Sequence, residues 1–207
     1  MDVNDIVEKL VILVLVFGSV ILHEIAHGYV AWRLGDPTAR MQGRITLNPL
    51  AHIDMFGTII VPILMSFGGG PVLGWAKPVP FNPSYFRDPK RGIMLTGAAG
   101  PATNFAIALV AVIAFKLIQF LPVPLIVLEL PRQLCMINIY LGLFNLIPIP
   151  PLDGSRVATG LIPDSWVGPY LSIERYGLFI VVALLYGGVF RMFLHPVADF
   201  IFRLLLK

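Results

Sequence analysis

Leu10 to Ile21 is a run of apolar and small residues without a single charge, and it leads directly into Leu22-His23-Glu24-Ile25-Ala26-His27. No other feature constrains the fold of this chain more. Ionisable side chains inside a would-be membrane helix are costly and mark function by default. Histidines four apart lie one above the other on one helix face. That spacing lets both imidazoles reach one Zn²⁺, with the neighbouring Glu24 placed to act as a base on water. HExxH also arises by chance, on a solvated helix face or as satisfied core histidines. Those readings fit three such groups in an apolar helix poorly.

The rest of the chain has the character of that run. It is 57% hydrophobic and 13% charged, with a mean hydropathy of +0.83, against roughly a quarter charged in soluble domains. The sequence predicts an all-α polytopic membrane protein, a single domain over 1–207. Its expected spans lie at about 10–34, 93–121, 134–149 and 173–190, each judged against a bilayer core of roughly 20 residues. Phe56 to Phe67 is too short to cross, contains Pro62 and has basic flanks, so a re-entrant hairpin over 56–70 is expected. Short β-strands are expected on the cytoplasmic side, around Arg44–Leu47 and over 72–82. After Pro196 the apolar residues Val197, Phe200, Ile201, Leu204 and Leu205 share one face. They predict an amphipathic interfacial helix, with a packed terminal helix as the alternative.

Nine of the fifteen basic residues fall on one side of this arrangement: Arg33, Arg40, Arg44, Lys77, Arg87, Lys90, Arg91, Arg156 and Arg175. By the positive-inside rule that side is cytoplasmic, and the metal site lies nearer to it. The net charge of +3 therefore reflects topology. No basic helix or aromatic-basic stripe points to nucleic acid. Asp2 and Asp5 stand where a signal peptide would be basic, so the first helix is expected to stay in the mature protein. The single cysteine, Cys135, excludes an intrachain disulfide and a cysteine-based metal cluster.

A catalytic zinc takes three protein ligands and keeps one position open. Most carboxylates sit in polar loops or at the far membrane face. Asp153 follows a proline-broken helix at a depth compatible with His27, and Gly154 beside it lets the backbone bend close. The plainer reading of Asp153-Gly154 is a turn after a helix.

HEIAH in the first span, GPATN (100–104) and NLIPIPPLDG (145–154) together resemble the site-2 protease family of intramembrane zinc metalloproteases, peptidase family M50. GRITLNPLAHID (43–54) and GWAKPVPFNP (74–83) resemble its compact members, which lack PDZ and CBS domains. The resemblance implies one Zn²⁺ per chain on His23, His27 and Asp153, with Glu24 as the catalytic base. It also implies that Asn104 and Asn145 contact the substrate backbone or the oxyanion; the plainer reading of both is helix–helix hydrogen bonding. The implied reaction is cleavage within or beside a transmembrane segment of a membrane-protein partner, in the lipid bilayer of a prokaryotic cell. A zinc-binding membrane protein without proteolysis, a scaffold or metal carrier, is the competing function. His52 lies in a polar loop that could return it to the site as a gate or a further ligand, or leave it an ordinary turn residue. His195 is expected to be structural.

Overall fold

The computed structural model describes residues 3–67 and 74–207. Three helices are long and apolar enough to cross a membrane: α1 (Val3–Arg33), α4 (Pro89–Ile118) and α5 (Leu125–Asn145). Between α1 and α4 lie the short α2 (Thr38–Met41) and α3 (Val61–Phe67). Beyond α5 come α6 (Asp153–Leu161), α7 (Asp164–Leu171), α8 (Glu174–Tyr186) and α9 (Val189–Leu206). The α7–α8 pair bends by 66° and makes a fourth crossing if taken as one broken span. Helix α4 is central, packing on α1, α5 and α6.

The helix ends follow from sequence. Past the end of α1, Gly35 takes φ +108°. Its N–H bonds Trp32 O, and Asp36 N–H bonds Ala31 O. This pair of bonds closes the last turn and requires a residue that tolerates positive φ. Helix α4 starts with Asp88 accepting from Arg91 N–H and Pro89 at its first position, where no intrahelical N–H is needed. Small residues along α4 let its neighbours approach closely, and Ala108 and Ala111 form a core with Cys135, Ile139 and Ala198.

Two expectations need correction. First, there is no strand among the described residues, so the short β-strands around Arg44–Leu47 and over 72–82 are not part of the fold. Residues 74–82 have no regular secondary structure, and Pro78 and Pro80 have no N–H to give to a ladder. The remaining donors go to scattered acceptors: Trp75 N–H to Gly57 O at 3.0 Å, Lys77 N–H to His52 O at 2.8 Å, and Val79 N–H to Glu24 Oε2 at 2.9 Å. Residues 72 and 73 lie outside the described residues, as do 68–70 of the expected hairpin. Its described part is a π-helical turn, Met55–Ile60, running into α3. Trp75 then lies against Gly57. Second, the spans are displaced. Helix α1 begins at Val3 rather than near residue 10, and α5 begins just after Pro124, because Pro131 is tolerated inside it. Helix α9 begins at Val189, contains Pro196, and packs Ile201, Phe202 and Leu205 onto the α4–α5 core.

Candidate metal centre

His23 and His27 stand on the last third of α1, and Asp153 is the first residue of α6. The fold brings them together across more than a hundred residues of chain. After α5 the backbone doubles back so tightly that a Cβ at Gly154 would lie 2.1 Å from Leu146 O. That turn swings Asp153 onto α1. Helix α4 closes the centre from another side. A Cβ at Gly100 would lie 2.4 Å from His23 Cε1 and 2.5 Å from Nε2 of either imidazole.

The three side chains are buried and converge on one point. Asp153 Oδ2 lies 3.0 Å from His23 Nε2 and 3.1 Å from His27 Nε2, and the two Nε2 atoms are 3.0 Å apart. The opposite ring nitrogens show which atoms carry protons. His27 Nδ1 is 2.6 Å from Thr96 O. A carbonyl only accepts, so this nitrogen holds the hydrogen and Nε2 presents a lone pair in the neutral ring. His23 Nδ1 is 2.7 Å from Asn104 Oδ1, with the same consequence. Three electron-rich atoms thus face one another in a buried space. A single proton could bridge one of these contacts but not all three. Donors about 2.0–2.1 Å from a tetrahedral zinc would be about 3.3 Å apart, close to what the side chains already adopt. Binding each imidazole through one nitrogen while the other donates outward is the usual arrangement around zinc. The donor set fits this metal.

Arg156, one turn along α6, donates Nη1–H to Asp153 Oδ1 at 3.3 Å. Its guanidinium also lies 5.1 Å from the centre of the Phe81 ring.

Glu24 follows His23, and its Oε2 accepts from Val79 N–H. The 74–82 segment therefore lies against α1 at this point, and a Cβ on Gly28 would touch Val79 Cγ1 at 3.0 Å. Asn104 is fully buried, bonded to His23 on one side and to Asn138 Oδ1 on the other. It stands behind the His23 ring, at the nitrogen opposite the converging Nε2, rather than at an open surface. Asn145 donates to Leu141 O of its own helix. His52 is fully buried in the loop, donating Nε2–H to Thr46 O at 2.8 Å, and is not among the converging ligands. His195 packs edge-on against Tyr140.

Sequence reasoning missed the supporting shell: Gly100, the Thr96 carbonyl, Asn138 and Arg156. One signal was available. Asn138 is an amide in the middle of an apolar helix, which demands a partner. The Thr96 carbonyl leaves no trace in sequence.

The geometry agrees with what the chain resembles. Residues 126–188 match the family model described as peptidase family M50. The "Putative zinc metalloprotease YwhC" of Bacillus subtilis (strain 168) is 37% identical over 172 residues, covering 80% of this chain and 75% of that protein. The "Putative zinc metalloprotease Rip2" of Mycobacterium tuberculosis is 29% identical over 136 residues, covering 66% of this chain and 51% of that protein. The "Zinc metalloprotease MJ0392" of Methanocaldococcus jannaschii is 29% identical over 163 residues, covering 79% of this chain and 38% of that protein. No solved structure matches the chain. On the strength of the YwhC likeness and the family-model match, the chain belongs to peptidase family M50, among the zinc metalloproteases.

Proposed function

We propose that the protein is an intramembrane zinc endopeptidase that hydrolyses peptide bonds within or next to transmembrane segments of other membrane proteins. The observation that carries this reading is the convergence of two imidazole lone pairs and a carboxylate on a point along an apolar helix. His27 lies six residues before Arg33 at the end of α1, about 9 Å along the axis at 1.5 Å per residue. The basic residues gathered at that end favour an active site towards the cytoplasmic face.

In this reading His23, His27 and Asp153 hold one zinc, which supplies Lewis acidity towards a water and the scissile carbonyl. Glu24 takes a proton from the attacking water. Its Oε2 is held by Val79 N–H, which leaves Oε1 to receive that proton and pass it to the amide nitrogen. The water oxygen bonds to the carbonyl carbon, the C–N bond breaks, and the products are a carboxylate and an amine. Thr96 O and Asn104 keep the imidazoles in the orientation that points both Nε2 atoms inward.

The test is cleavage in reconstituted vesicles of a peptide that spans the bilayer, beside a soluble peptide of the same scissile sequence. Cleavage of the spanning peptide alone, lost on chelation and on Glu24→Gln, is the expected result. Equal or better cleavage of the soluble peptide would overturn the intramembrane part of the proposal.

A further inference from the structure

A line of side-chain hydrogen bonds runs through the packed interior of α1, α4 and α5 and stops at His23. Its far end is Leu15 O, which accepts from Ser19 Oγ–H at 2.7 Å. Having spent its hydrogen there, Ser19 Oγ can only accept from Asn138 Nδ2, 2.8 Å away. The second Nδ2 hydrogen of Asn138 goes to Leu134 O at 2.9 Å. Both ends of this arrangement are backbone carbonyls, which accept and never donate. The orientation of the Asn138 amide is thereby fixed, with Oδ1 turned to Asn104, whose Nδ2 donates to it at 2.9 Å. Asn104 in turn must present Oδ1 to His23 Nδ1.

We propose that Asn138 and Ser19 are positioning residues for the metal centre. By fixing which way the Asn104 amide faces, they keep the hydrogen of His23 on Nδ1 and its lone pair on Nε2. Asn138 and Asn104 are fully buried and Ser19 nearly so. In an apolar interior no water can replace a missing partner, so the chain of bonds transmits orientation without slack. Asn104 released from Asn138 could turn its NH₂ towards Nδ1, which would move the ring hydrogen to Nε2, where it blocks a ligand position.

Polar side chains between membrane helices also serve simply as adhesive, typically at well under 2 kcal/mol each. An adhesive is indifferent to amide direction. Here each donor is matched to an acceptor in one sense only, and the sequence of bonds ends on the nitrogen opposite the metal edge. The inference rests on the metal-centre reading given above, and the test separates the two.

Zinc affinity is measured by chelator competition on detergent-purified protein, with cobalt substitution reporting the ligand field and thermal unfolding reporting the fold. Wild type should bind one zinc and His27→Ala none. Failure of either overturns the metal-centre reading itself. With both in hand, Asn138→Leu should bind zinc about 10–100-fold more weakly, the range for lost outer-shell partners, with an altered cobalt spectrum. Asn138→Asp, whose neutral carboxyl keeps an acceptor facing Asn104 and one hydrogen for Ser19 Oγ or Leu134 O, should recover most of that loss. A Leu variant that melts earlier but binds zinc as tightly as wild type would mean that Asn138 is only adhesive, and the proposal would fall. If the Leu variant does not fold, Ser19→Ala carries the test. A loss of about tenfold is expected, the weaker end of the same range, and unchanged affinity overturns the proposal.

Discussion

His23 and Glu24 are neighbours in sequence, yet the parts of the molecule that hold them differ in kind. His23 is oriented from within the helical bundle, by side-chain amides on α4 and α5 that are themselves oriented by other side chains. Glu24 is oriented from the loop region, by the backbone N–H of Val79. The same device recurs nearby, where buried Asp36 accepts from the backbone N–H groups of Thr38 and Asn82 and from the Thr38 hydroxyl. In the apolar bundle each polar atom needs a partner from the protein, so side-chain identity is specified atom by atom. At the loop, carboxylates on α1 and just past its end read the backbone, and most side chains along 74–82 are free of that constraint. Substitutions in the bundle should therefore act on the metal, and substitutions in the loop on the base and on stability.

The largest effect should come from Gly100→Ala. The added Cβ would overlap both imidazoles, and purified protein should retain no zinc and cleave at background. Gly18→Ala, on the same bundle but with nothing within 4 Å of the new methyl group, should leave both unchanged. Glu24→Gln should lower the cleavage rate by about 10²–10⁴-fold with zinc content intact. If it lowers zinc content in parallel, the two regions are not separable in the way described. Arg156→Met removes the donor to Asp153 Oδ1 and should weaken zinc binding about tenfold, the lower bound for an outer-shell partner. Asp36→Ala should lower the melting temperature through a loss of about 1–3 kcal/mol for stranded donors, with zinc affinity unchanged. A drop in affinity there would tie the loop to the metal and blur the comparison.

The two regions also differ in how far they could be read from sequence. The bundle announced itself through local pattern. A charge-free run fixed α1, and the spacing of His23 and His27 fixed their common face, because helical periodicity is a property of neighbouring residues. Asp153 was legible as a candidate through its depth and the adjacent Gly154, and the motif strengthened it, but the turn that delivers it depends on Gly154 fitting against Leu146. The loop region misled. Residues 72–82 read as a strand from their composition, but a strand also needs a partner, and pairing is decided elsewhere in the molecule. With Pro78 and Pro80 lacking donors, the segment attached itself to Gly57, His52 and Glu24 one bond at a time. For Asn104 the resemblance implies a substrate contact and the plainer reading is a helix–helix hydrogen bond; its bonds to His23 and Asn138 are of the second kind, and no local pattern records which two helices meet there.

Zinc-edge X-ray absorption on the purified wild-type protein addresses the central claim most directly. The account predicts a shell of nitrogen and oxygen at about 2.0–2.1 Å with no sulfur, and outer-shell scattering that counts two imidazoles. A shell containing sulfur, three or more imidazoles, or a spectrum unchanged by Asp153→Ala would contradict it.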